Sequence, residues 1–205
     1  MKPQSKTTKN PFTSVDVQLV KLIDYIPKGE WLWELKYDGY RVVVFVECGN
    51  VRLITRGGMD YTKKFQPIAD SIYKWKGERA FVLDGELIVV DENGKSDFNA
   101  LQNYSSQPQP ERLVYVAFDI LSLDGIDLRP QPLLQRKKLL SKLMKDSPHN
   151  IRESQFIKNA DNARDSFATV CFDNHEGLIA KQIDSPYVGS RNGSWVKLKC
   201  QNYER

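Results

Sequence analysis

Between residues 31 and 56 three apolar, β-branched runs follow one another almost without interruption. Residues 31–37, 40–47 and 51–56 each read as a strand, separated by Asp38-Gly39 and Gly49-Asn50. Asp-Gly and Gly-Asn between such runs are hairpin signals, so the chain opens on hairpin-linked strands. Alternation puts Leu32, Glu34 and Lys36 on one face and Trp31, Trp33 and Leu35 on the other. Lys36 is therefore expected at a strand end, beside a tight turn, on the face that carries Glu34. That is a rigid mount for an amine, although most lysines at such places are simply solvated.

The rest of the chain adds strands and a few helices. Residues 17–26 read as a short helix or an irregular packing segment. Residues 62–75 carry apolar side chains at helical spacing, with Thr62 as cap. Residues 80–91 and 113–123 are long apolar strands. A short helix fits 96–103 with Ser96 as cap, and Pro132 opens another through residue 145. A short strand at 156–157, a helix from a cap at Asp161 to residue 172, and strands at 177–183 and 194–199 complete the pattern. Residues 1–13 read as a flexible lead, and 14–205 as one domain. The class is α+β, with largely antiparallel sheets flanked by helices.

Bulk properties exclude several classes. The 205 residues suffice for one sizeable core. No apolar run approaches the ~18 residues that span a bilayer, and residues 1–10 are polar, so a cytoplasmic protein without membrane contact is expected. Cys48, Cys171 and Cys200 form neither a zinc pattern nor a disulfide framework, and reduced thiols are expected. His149 and His175 are too few for a histidine-based metal site. The net charge of +4 permits a nucleic-acid partner without requiring one. Lys63-Lys64 and Arg136-Lys137-Lys138 read as solvated helix faces.

Further polar residues stand out against this apolar background. Asp84 and Glu86 share one face of a central strand, which is costly unless they are paired or functional. A salt bridge is one reading; a metal or ribose-hydroxyl site is the other. Glu176 stands at the mouth of a strand that runs to Lys181. Lys197 and Lys199 share a face and repel one another unless water or an anion separates them. A phosphate fits between them, and an exposed edge strand explains them equally. Arg56-Gly57-Gly58 lets a guanidinium approach an anion, or is a plain turn. Phe118 lies late in an apolar run, where a core role is ordinary.

Lys36-Tyr37-Asp38-Gly39-Tyr40-Arg41 resembles the nucleotidyl-lysine motif of covalent nucleotidyltransferases. Arg56-Gly57-Gly58, Leu83 to Glu86, Phe118-Asp119, Glu176 to Lys181 and Trp195 to Lys199 then follow in the order of the ATP-dependent DNA ligase family. The likeness extends over about residues 30 to 200. It is finest with the ligase modules of the bacterial ligase D group, through Trp31 to Arg41, Asp97 to Gln102 and Asp184 to Tyr187. One departure is Gly57, where the family often has asparagine.

The resemblance implies a nucleotidyltransferase, ATP-grasp-like domain that forms lysyl-AMP and seals nicked or broken double-stranded DNA. It implies Lys36 as nucleophile and Lys197 and Lys199 as catalytic cations, which also favour the neutral amine by repulsion. Glu34 would read the adenine amino group and Phe118 stack on the base. Arg41 and Arg56 would bind ribose and phosphates, and Glu86 ribose or metal. Glu176 would be the better ligand for Mg²⁺ or Mn²⁺. Asp38 would shape the turn or support the metal, and Asp84 would lie behind the site. End-joining proteins are implied partners of a monomer. The family continues past the last motif into an OB-fold domain. The chain ends at Arg205, so that domain is expected to be absent and attack on ATP to be weak. Rival readings are an RNA ligase, a capping guanylyltransferase and a non-catalytic DNA-binding module.

Overall fold

The structure, a computed structural model, describes residues 16–47, 49–158 and 163–200. In chain order β1 (Lys21–Leu22) and β2 (Trp31–Leu35) precede β3 (Tyr40–Glu47) and β4 (Asn50–Thr55). Helix α1 (Gln66–Lys76), β5 (Phe81–Val89), α2 (Phe98–Gln102), β6 (Leu113–Leu123) and β7 (Ile126–Asp127) follow. Then come α3 (Leu133–Met144), β8 (Ile151–Glu153), β9 (Phe156–Lys158), α4 (Ala163–Phe172), β10 (Gly177–Gln182) and β11 (Trp195–Lys199).

These strands form two sheets. The first has the order β1-β11-β10-β2-β9, and the second β4-β3-β5-β6-β7 with β8 beside β6. Only β1–β11 and β6–β8 are parallel among the described pairs, so the fold is α+β and largely antiparallel as expected. Strand β3 shows how sequence period builds the layers. Val42, Val44 and Val46 face a core completed by α1, α2 and α3. Val43 and Phe45 face the other way, into a core shared with Trp195 of the first sheet. The outer face of the first sheet packs Trp33, Leu178, Ala180 and Leu198 against Ala163 and Phe167 of α4.

Several expectations are corrected. The Gly49 turn joins a true β3–β4 hairpin, but Asp38-Gly39 does not close one. Strand β2 pairs with β10 and β9, whereas β3 pairs with β4 and β5. Residues 36–39 instead carry the chain from one sheet to the other. Gly39 is required by crowding: a Cβ there would lie 2.3 Å from Leu87 O. Residues 17–26 take the irregular alternative rather than the helix, with β1 extending the first sheet and the buried Gln18 side chain donating to Ser190 O and Asn192 Oδ1. Thr62 does not cap α1, because its Oγ1 accepts from Leu53 N. Asp97 rather than Ser96 caps α2, accepting from Ala100 N at 2.9 Å. Cys171 and Cys200 are joined in a disulfide, Cα atoms 5.3 Å apart, because β10 and β11 return the chain to the end of α4. Arg136 and Lys137 are buried, and of that cluster only Lys138 is exposed. Cys48 and Asp161 lie outside the described residues. Among the described residues no helix is long and apolar enough to cross a membrane.

Candidate active site

Lys36 ends the strand-like run of β2, and its N–H donates to Gly177 O at 2.9 Å. Strand alternation then aligns a row of functional side chains. Glu34 and Lys36, Ile179 and Lys181, and Lys197 and Lys199 occupy one face of three adjacent strands, with Glu34 opposite Ile179 and Ile179 opposite Lys197. Gly177 leaves space in that row, since a Cβ would meet Leu198 O at 2.0 Å. Strand β11 is flanked by β1 and β10, so Lys197 and Lys199 do not belong to an edge.

Lys36 lines two cavities. One, of about 160 Å³, is also lined by Glu34, Arg41, Glu86, Phe118, Trp195 and Lys197. The other, of about 250 Å³, is lined by Asp38, Lys95, His175, Glu176 and Lys199. Lys36 Nζ pairs with Glu176 Oε2, and Lys199 Nζ with Glu176 Oε1 at 3.1 Å. Burial, then the like charges of Lys199 and Lys36, pull the Lys197 ammonium below the usual lysine range. Burial, then Glu176, pushes the Asp38 carboxyl up.

The first cavity has aromatic walls. Phe118 and Trp195 meet edge to face at 6.0 Å. Lys181 Nζ stands 4.4 Å from the Phe118 centroid and 4.1 Å from that of Trp195. Burial brings Lys181 down to about 8, although the nearby Glu34 carboxylate opposes this. Glu34 Oε2 accepts from Lys181 at 3.0 Å. Its Oε1 faces Lys137 Nζ at 3.1 Å as an ion pair, off the line of a hydrogen bond. Neither Glu34 Oε1 nor Trp195 Nε1 has a hydrogen-bond partner among the described residues. Both atoms are buried, so the aromatic walls, with a carboxylate behind them that has an unused acceptor, are what suit a planar heterocycle here.

The two acids of β5 have different tasks. Asp84 is fully buried and grips Arg41 through Nε at 3.0 Å and Nη2 at 2.6 Å. Tyr187 Oη donates to the same carboxylate, and Arg41 Nη1 to Gln18 O. Asp84 thus forms a structural pair that fixes Arg41 in the cavity wall. Glu86 faces the cavity, where burial pushes its carboxyl up to about 8 against the pull of Arg41 and Lys36. Gly85 between them admits no side chain, because a Cβ would meet Tyr115 and Val116 O at 2.5 Å.

The expected residues are therefore gathered with one exception. Glu34, Arg41, Glu86, Phe118 and Lys197 share the first cavity with Lys36, and Glu176 and Lys199 the second. Arg56 is exposed and lines neither, although its N–H donates to Arg41 O. Glu86 and Glu176 line different cavities, and no cluster of three or more His, Cys, Asp or Glu suited to a metal occurs among the described residues. The raised Asp38 and Glu86 carboxyls are nevertheless oxygen donors that a hard cation would relieve. Sequence reasoning gave no role to Lys181, Lys137, Trp195, Tyr187 or Gln18. Lys181, Trp195 and Tyr187 lay inside quoted motifs, and helical spacing placed Lys137 on the apolar face of α3; Gln18 carried no local signal.

Known proteins with these features can now be compared. A family model described as ATP dependent DNA ligase domain matches residues 12–199. The multifunctional non-homologous end joining protein LigD of Pseudomonas aeruginosa is 39% identical over 185 residues, 90% of this chain and 22% of that protein. The LigD of Mycobacterium tuberculosis H37Rv is 36% identical over 177 residues, 85% of this chain and 22% of that protein. The solved structure of a mycobacterial DNA ligase D complexed with ATP and MES superposes with a TM-score of 0.78 at 31% identity, covering 90% of this chain and 60% of that one. The chain thus spans 22% of the length of these curated relatives. The family match over residues 12–199 joins the lysine mount and the two-sheet cleft to a known group: this chain belongs to the ATP-dependent DNA ligase domain family.

Proposed function

We propose that this chain is the adenylation domain of a DNA-sealing enzyme and that Lys36 is its nucleophile. The observation that carries the proposal is the position of Lys36, in the wall of a cavity with aromatic faces and an orphan acceptor, beside two further lysines. The similar mycobacterial ligase D, complexed with ATP, supports ATP as the nucleotide. In the reaction the Lys36 nitrogen forms a bond to the α-phosphorus, and the bond from that phosphorus to the pyrophosphate oxygen breaks. Glu176 Oε2, already paired with Lys36, takes the proton that the amine sheds. Lys197 and Lys199 meet the charge that grows on the phosphate oxygens. Burial and the like charges of Lys199 and Lys36 lower Lys197, and a bound phosphate would offset both.

Phe118 stacks on the base and Glu34 Oε1 accepts from its amino group. Glu86 meets the ribose, and Arg41, fixed by Asp84, meets ribose or phosphate. Arg56 serves phosphates from outside the cavity. Glu176 and Asp38 of the second cavity, and Glu86 of the first, would supply the oxygen donors for Mg²⁺ or Mn²⁺, which would neutralise phosphate charge. Transfer of AMP to the 5′-phosphate of a nick, and displacement by the 3′-hydroxyl, complete sealing in double-strand break repair with end-joining proteins. The likeness to the two LigD proteins supports that setting.

The test is mass spectrometry of the protein after incubation with ATP and Mg²⁺. An AMP adduct is expected on the peptide that holds Lys36. Lys36→Ala should remain folded and carry none, because the amine projects into the cavity. An adduct on Lys36→Ala would remove Lys36 from this role, and none on the parent protein would favour a non-catalytic DNA-binding module.

A further inference from the structure

Behind the base end of the first cavity lie three buried charges. Glu34 is 3% exposed, Lys181 2% and Lys137 1%. Glu34 and Lys181 line the cavity, whereas Lys137 reaches the pair from α3 on the far side. Its Nζ faces Glu34 Oε1 at 3.1 Å and donates to Phe118 O at 3.3 Å and to Ser154 O at 3.1 Å. The Phe156 ring lies 5.2 Å from the ammonium.

A fully buried ammonium is a poor way to stabilise a fold, since an apolar side chain of similar length fills the same space without desolvating a charge. The contacts of Lys137 suggest another use. It touches two groups that the proposed function assigns to the base: the carboxylate of Glu34 and the backbone of Phe118. Glu34 Oε2 is already held by Lys181. Lys137 stands 3.1 Å from Oε1 but off the hydrogen-bond line, so it anchors that buried oxygen without using its lone pair.

We propose that Lys137 is the positioning residue for base selection, holding Glu34 Oε1 and the Phe118 backbone in register with the amino group and the face of adenine. This deepens the functional reading above and rests on it. Lys137 touches no ligand. It acts by restricting Glu34, whose carboxylate would otherwise rotate toward Lys181 alone.

Calorimetric titration of the whole chain with ATP and with purine riboside triphosphate, which lacks the 6-amino group, tests this. The unmodified protein is expected to prefer ATP by about tenfold or more, as for a hydrogen bond to a charged group. In Lys137→Met the preference should fall below about threefold, while affinity for the purine analogue changes less than about twofold. Lys137→Gln, which keeps a donor for the two carbonyls, should show the same loss and carries the comparison if the methionine variant does not fold. A lower melting temperature with the preference intact would mean a merely structural lysine and would overturn the proposal. Equal binding of both nucleotides by the unmodified protein would overturn it by removing the role of Glu34. Binding of neither would sink the functional reading itself.

Discussion

Glu86 faces the first cavity from the middle of β5, where burial pushes its carboxyl from 4.5 up to about 8. Between those values the folded protein holds a proton that the unfolded chain has released. Stability must therefore fall as pH rises from about 4.5 to about 8, and level off above that. Lys181 has the opposite slope on the other side: lowered from 10.5 to about 8, it costs stability below about 8 and is relieved as pH rises toward 10.5. Glu86→Gln should remove the first slope and leave the second. At about 1.4 kcal/mol per pH unit, the gain at pH 8 is at most about 5 kcal/mol. Urea unfolding of both proteins at pH 5 and pH 8 measures it. Parallel pH dependence in the two would show that Glu86 is not the titrating group. A stabilised variant with impaired nucleotide binding is what a site residue kept for function rather than for folding should give.

Helix α3 carries its own lesson in its period. Leu133, Leu140, Leu143 and Met144 are buried, and Arg136 and Lys137 lie three and four positions after Leu133. Helical spacing alone put those two cations on the apolar face, and charge-run reasoning misread them as solvated. What the sequence could not supply was their partners. Asp119 and Glu34 arrive from β6 and β2, in different sheets, and only the tertiary fold brings them to α3. The Asp38-Gly39 pair failed for the same reason: it suits a hairpin and a crossing between sheets equally, and the deciding contact is with Leu87 of β5. The shared faces of Lys36 with Glu34 and of Lys197 with Lys199 were legible because strand alternation is local, whereas Phe118 stood out only through the family resemblance. Arg136 binds Asp119 through Nε and Nη2, both at 2.9 Å, with both side chains fully buried. Arg136→Met should therefore cost about 3–5 kcal/mol by stranding the Asp119 charge, and adding Asp119→Leu should recover most of it. Urea midpoints of the single and double variants decide this; equal losses in both would mean that packing, not charge, sets the cost.

The two sheets meet through Val43, Phe45, Val82 and Leu121 on one side and Trp195 on the other, and the second sheet has the larger core. The first sheet is framed by short strands, β1 of two residues and β9 of three. Its outer face depends on α4. There the Cys171–Cys200 disulfide closes a loop with a sequence separation of 29 that contains all of β10 and β11. Loop-closure entropy for that length is worth about 3–4 kcal/mol. The bond also adjoins the Lys199–Glu176 pair, because Cys200 N–H donates to Glu176 O at 3.2 Å and Cys200 follows Lys199. Reduction should therefore act locally, loosening α4 and the ends of β10 and β11 while the larger core of the second sheet holds. Hydrogen exchange of the oxidised protein and of protein reduced with a phosphine resolves the point. Amides of β10 and β11 are expected to exchange faster after reduction, and those of β5 and β6 to be unchanged. Equal acceleration in both sheets would show that they open as one unit. Unchanged exchange everywhere would show that the β10–β11 ladder and the α4 contacts hold this corner without the bond.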